Sequence, residues 1–185
     1  MGALIVVWHY RVHRYQWRIS NRKGSQIYEL SACSLTRSRV WIALAWHPTQ
    51  IDMLISTGQM GDLVLWDISS SRPRNQMFSA GHQRTIFSIS FDPNNHDQLI
   101  TTSLDRQIIL WDMKSMKMKW NIPSLGGFVY HIDVSPHEAD RLAIAVGDNT
   151  IRIWNITNAS NPYDCQLLWK GLQSKVTTVY SYRVT

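Results

Sequence analysis

Apolar and polar residues alternate in short runs along most of this chain, as in "TIFSISF" (85–91) and "FVYHIDV" (128–134). Clusters of Gly, Asp, Asn, Pro and Ser separate the runs. An alternation of period two predicts half-buried β-strands, and the clusters predict the turns between them. No long window carries the spacing of an amphipathic helix, so the expectation is an all-β protein. The stretch "SLGGFVYHIDVSP" (124–136) breaks the pattern at its start. Gly126 and Gly127, residues that permit turns others resist, lead directly into Phe128. A large aromatic stands there, where a turn usually carries something polar.

Repetition organises the strands. "GDLVLWDI" (61–68), "DRQIILWDM" (105–113) and "DNTIRIWNI" (148–156) are variants of one strand, and Trp66, Trp111 and Trp154 lie 45 and 43 residues apart. That period, with Trp-Asp or Trp-Asn closing the strand, is the signature of the WD-repeat β-propeller blade. The unit at 81–113 is the fullest, with a Gly-His pair, an Asp-Pro turn and a turn at Asp105 ahead of the tryptophan strand. Residues 40–172 read as three complete blades. Residues 1–39 read as a partial preceding blade around Trp8 with a basic insertion, and 173–185 as the first strand of a truncated next blade. Closed propellers have about four to eight blades, and seven would need roughly 300 residues at this period. The expectation is therefore a partial propeller, a fragment of a larger ring.

Charge adds less than its total suggests. The formal net charge is +6, but Arg11, Arg14, Arg18, Arg22, Lys23, Arg37 and Arg39 face one acid, Glu29, in the first 39 residues. The rest of the chain is formally neutral. A basic segment of this kind touches phosphate or an anionic membrane, or is a solvated loop. Cys33 and Cys165 show no metal-ligand spacing and fit free thiols in a reducing compartment. The opening "MGALIVVW" is too short for a signal peptide or a membrane span. These features lead us to expect a cytoplasmic, also nuclear, protein without membrane contact.

Catalytic chemistry finds little support. His82, Ser103 and Asp105 imitate a triad, but resemblance to WD repeats implies a structural set of His82, Ser103 (or Thr102), Asp105 and Trp111 that ties the blade's turns together. The remaining histidines form no zinc pattern, and no phosphate-cradling glycine loop is present. The expectation is a non-enzymatic protein with no cofactor, no metal and no small-molecule substrate. Binding residues are sought where propellers bind, before first strands and in the turn before the tryptophan strand. Trp41, Arg84, Phe128 and Arg106 fall there. Two aromatics with two arginines suit a base and its phosphates. The same residues also suit a loop plug with inter-blade ion pairs, on a scaffold that binds peptides or protein partners without direct RNA contact.

"RVWIALAWHP" (39–48), "PSLGGFVY" (123–130), "DNTIRIWNI" and "YDCQLLWKGLQSKVT" (163–177) together resemble the Gemin five family, the WD-repeat subunits of the SMN complex. The resemblance covers roughly residues 37–178 and is specific, because "PSLGGF" and "GLQSKVT" are not generic propeller sequence. It implies RNA binding: recognition of the Sm site and the 7-methylguanosine cap of snRNA precursors for spliceosomal snRNP assembly, alongside SMN-complex proteins. It further implies that Trp41 and Phe128 sandwich a base or the methylated guanine, with Arg84 and Arg106 at the same mouth and Lys175 a weaker candidate. Gly126 and Gly127 would then keep the approach clear. The family's closing blades and second propeller have no counterpart in this sequence.

Overall fold

A computed structural model describes residues 6–11, 14–20, 27–30, 41–78, 81–122, 126–135, 137–138, 141–155, 165–169 and 179. The strands β1 (Val6–Arg11), β2 (Arg14–Ser20) and β3 (Ile27–Leu30) form an antiparallel sheet in chain order. Three four-stranded meanders follow. The first blade holds β4 (Trp41–Trp46), β5 (Met53–Gly58), β6 (Leu63–Asp67) and β7 (Arg74–Met77). The middle blade holds β8 (Ile86–Phe91), β9 (Gln98–Ser103), β10 (Ile108–Asp112) and β11 (Lys117–Ile122). The third holds β12 (Val129–Val134), β13 (Arg141–Val146), β14 (Thr150–Asn155) and β15 (Cys165–Trp169). Each repeated tryptophan sits on the third strand of its blade. The architecture is an all-β, partial WD-repeat propeller, as the period predicts. Of the stretch 173–185 only Val179 lies within the described residues, and its N–H donates to His131 Nδ1 at 3.5 Å.

The blades pack face to face because alternate residues on one strand serve two neighbours. On β9, Leu99 joins a core with Ile55, Ile86 and Ile109 toward the first blade. Ile100, one residue on, joins Ile132, Leu142 and Trp154 of the third blade. Trp120 meets Trp154 edge-on across that second interface, with ring centroids 5.5 Å apart. Burying such an aliphatic or aromatic side chain contributes about 1.5–3 kcal/mol, and no blade could bury its two faces alone. The first strands β4, β8 and β12 lie against one another and form the inner side of the arc.

The polar set that ties the middle blade is present with one correction. His82 Nδ1 lies 2.9 Å from Asp105 Oδ2, and Nε2 lies 2.8 Å from the hydroxyl of Thr101, to which Trp111 Nε1 donates at 2.8 Å. The hydroxyl is thus that of Thr101, not Ser103 or Thr102. Strand register is the reason. Trp111 stands opposite Leu99, so its indole reaches diagonally to the next residue on that face, Thr101. Thr102 points to the other face, and its buried hydroxyl has no partner among the described residues. Ser103 donates to the Arg84 carbonyl at 3.1 Å. With His82 and Ser103 both buried and bonded elsewhere, the pair makes no nucleophile and base.

Candidate nucleic-acid interface

Three of the four residues singled out from the sequence converge, and local structure fixes each. Arg84 precedes β8, where its carbonyl accepts from Ser103 and the adjoining Gln83 N–H donates to Asp105 Oδ2 at 3.0 Å. Arg106 lies in the β9–β10 turn, its N–H bonded to the Ser103 carbonyl at 3.1 Å. Phe128 precedes β12, and its carbonyl accepts from Gly147 N–H at 2.7 Å.

The glycines ahead of Phe128 have a backbone role. Gly126 adopts φ +89°, a conformation that L side chains resist. A Cβ on Gly127 would sit 2.8 Å from the Asp148 backbone nitrogen. Both are needed to lay the chain against the β13–β14 turn and so to place Phe128.

Arg106 itself has φ +70°, left-handed for a residue with a Cβ. The corresponding turn positions in the first and third blades are Gly61 (φ +85°) and Asn149 (φ +63°). Gly and Asn are the residues that tolerate this geometry; the middle blade uses an arginine instead.

Arg84, Arg106 and Phe128, with Gln83, Leu104 and Asp105, line one open cavity of about 310 Å³. The Arg106 guanidinium carbon stands 5.7 Å from the centre of the Phe128 ring, a cation–π contact. Both arginines are exposed, and neither joins an ion pair among the described residues. Asp105 is the one carboxylate in this lining, and it is already engaged. Burial alone would raise its pKa, but His82 and the N–H groups of Gln83 and Gln107 outweigh burial and hold it below the ordinary value. The cavity therefore presents two uncompensated cations beside an aromatic face, which suits an anion carrying a planar group.

Trp41 begins β4 opposite Gly58, at the register position that Ile86 and Val129 hold in the next two blades. Its side chain, like Lys175, lies outside the described residues. The first-blade turn reaches the start of β8, where the Thr85 hydroxyl donates to the Gln59 carbonyl at 3.0 Å. Strand starts and preceding turns thus share one mouth.

Sequence reasoning missed Phe87 and Tyr130, whose half-buried rings lie 5.5 Å apart between adjacent inner strands. Simple alternation puts Phe128, Tyr130, Ile132 and Val134 on one face. An irregularity between Val129 and His131 shifts the phase, so that Val129, Ile132 and Val134 are buried together. Phe128 and Tyr130 are left half-buried.

Comparison with known proteins agrees with this architecture. Residues 74–112 match the family model "WD domain, G-beta repeat". The chain is 38% identical over 151 residues to Gem-associated protein 5 of Mus musculus, covering 77% of this chain and 10% of that protein. It is 35% identical over 173 residues to Component of gems protein 5 of Dictyostelium discoideum, covering 77% and 14% respectively. Against Gem-associated protein 5 of Homo sapiens it is 34% identical over 179 residues, covering 88% and 12%. The chain thus spans about a tenth to a seventh of the length of these relatives.

Proposed function

We propose that this chain, which belongs to the WD-repeat family and is similar over most of its length to Gem-associated protein 5, contributes part of an RNA receptor. Its ligand on this reading is an snRNA precursor, taken through its uridine-rich Sm site or its 7-methylguanosine cap. Its setting is the SMN complex and spliceosomal snRNP assembly, in cytoplasm and nucleus. The observation that carries the reading is the convergence of Arg84 and Arg106, exposed and unpaired, on Phe128 in one open cavity. A base stacks on Phe128, Trp41 covers its other face, and the two guanidiniums take the flanking phosphates. A methylated guanine, being cationic, gains further from lying between two π faces. No covalent step is involved; the work is stacking and charge neutralisation.

Titration of full-length protein with capped and uncapped uridine-rich RNA tests the proposal. Phe128→Ala and Trp41→Ala should each weaken binding by about 1–3 kcal/mol, with the far-UV circular dichroism unchanged. Binding that survives both substitutions would sink the clamp.

A further inference from the structure

Each inner strand breaks its ladder at the same place. The irregularities lie between Trp41 and Ala43, between Ile86 and Ser88, and between Val129 and His131. One residue per blade is thereby left out of register: Ile42, Phe87 and Tyr130. Such a bulge re-aims the unpaired side chain and is over-represented beside functional sites. All three side chains are half-buried on strands that form the inner side of the arc.

Two of the three are aromatic, and they touch. The Phe87 and Tyr130 rings lie 5.5 Å apart at an interplanar angle of 43°. Tyr130 is tied to the cavity through Gly147, whose N–H holds the Phe128 carbonyl and which has no Cβ to crowd the Tyr130 ring; one there would sit 3.1 Å from Cε2. The Tyr130 hydroxyl has no hydrogen-bond partner among the described residues. Tyr130 is instead half-buried, with its ring against Phe87 and part of its surface left open, the boundary position that an apolar ring with a polar tip suits.

We infer that Tyr130, braced by Phe87, is a second stacking platform, taking the base adjacent to the one seated on Phe128. The inference rests on the RNA reading above and deepens it: the ligand is a single-stranded oligonucleotide, held on consecutive aromatic faces, rather than an isolated nucleotide. Phe87 packs against the Tyr130 ring, and the hydroxyl would bond a base edge or a ribose.

The test compares uridine 5′-monophosphate with a uridine tetranucleotide, each titrated into full-length protein. Tyr130→Ala should weaken tetranucleotide binding by about 5- to 150-fold, the equivalent of about 1–3 kcal/mol, and leave the monophosphate nearly unchanged. Tyr130→Phe, which keeps the ring and its contact with Phe87, should retain most of the tetranucleotide affinity and guards against a mere folding defect. Equal losses for both ligands with Tyr130→Ala would make Tyr130 a support for Phe128 and overturn the inference, as would no loss for either. Tetranucleotide binding that depends on Phe128 but not on Tyr130 removes the second platform and leaves the RNA reading standing. A protein that binds neither ligand removes both.

Discussion

Thr101 and Thr102 are identical neighbours, both fully buried, with opposite roles. The Thr101 hydroxyl joins His82 to Trp111, whereas that of Thr102 has no partner among the described residues. Thr101→Val should cost about 1–3 kcal/mol because it leaves buried partners unsatisfied, while Thr102→Val should be neutral or mildly stabilising. Urea midpoints of the two variants check this. The sequence reading places the hydroxyl at Ser103 or Thr102 and misses Thr101, because the choice depends on how far the Trp111 indole leans across the ladder, which composition does not encode. Arg106 was legible as a mouth residue, but its conformation was not. A left-handed residue with a Cβ costs about 1–2 kcal/mol, part of which glycine's greater unfolded-state freedom offsets. Arg106→Gly, copying Gly61, should therefore raise stability by about 0.5–1 kcal/mol and weaken RNA binding. Urea denaturation and an RNA titration on one protein sample would show the two moving in opposite directions.

The turns after the inner strands show how one element tolerates different chemistry. His47, Asp92 and Ser135 hold the same position in successive blades, and each caps its turn with a side-chain acceptor. Gln50 N–H donates to His47 Nδ1 at 3.0 Å, Asn94 N–H to Asp92 Oδ1 at 2.8 Å, and Glu138 N–H to Ser135 Oγ at 3.1 Å. Only the histidine version titrates near neutral pH. Burial lowers the His47 pKa, His96 lowers it further, and Asp97 opposes them. The folded state thus resists a proton that the unfolded chain accepts near its ordinary value of about 6.5. The stability His47 contributes is complete above that pH and is lost as pH falls through the window below it. Urea midpoints at pH 7.5 and 5.5 should differ, and His47→Asn, which keeps a neutral acceptor, should shrink the difference. Some slope will remain, because burial also lowers the pKa of His131, with the Asp133 carboxylate opposing it. The strands themselves could be read from alternation, but the phase shift at Val129–His131 could not. A bulge is a property of the paired ladder and is invisible in either strand alone.

Across the molecule the repeated tryptophans meet different chemistry on the neighbouring strand. The middle blade has His82, Thr101, Asp105 and Trp111 in one bonded set. In the first blade Trp66 Nε1 donates to Ser56 Oγ at 2.8 Å. In the third, the matching position on β13 is Ile144, which has no hydroxyl. Thr101→Val should therefore speed amide hydrogen exchange in β8–β10 more than in the strands of the other two blades. Blade number and order followed from the spacing of Trp66, Trp111 and Trp154, because a repeat advertises itself at fixed period. The gathering of Arg84, Arg106 and Phe128 followed less directly, since they lie on three different connections that only the stacking of sheets brings together.

The guanidinium resting on the Phe128 ring has one last consequence. The site already holds an aromatic ring with a planar cation against it, supplied by its own β9–β10 turn. A nucleobase arriving on that face exchanges one planar partner for another, so any free planar cation is a competitor. Guanidinium chloride far below denaturing strength should displace RNA from this mouth more strongly than sodium chloride at equal ionic strength, whereas urea, neutral and of similar shape, should not.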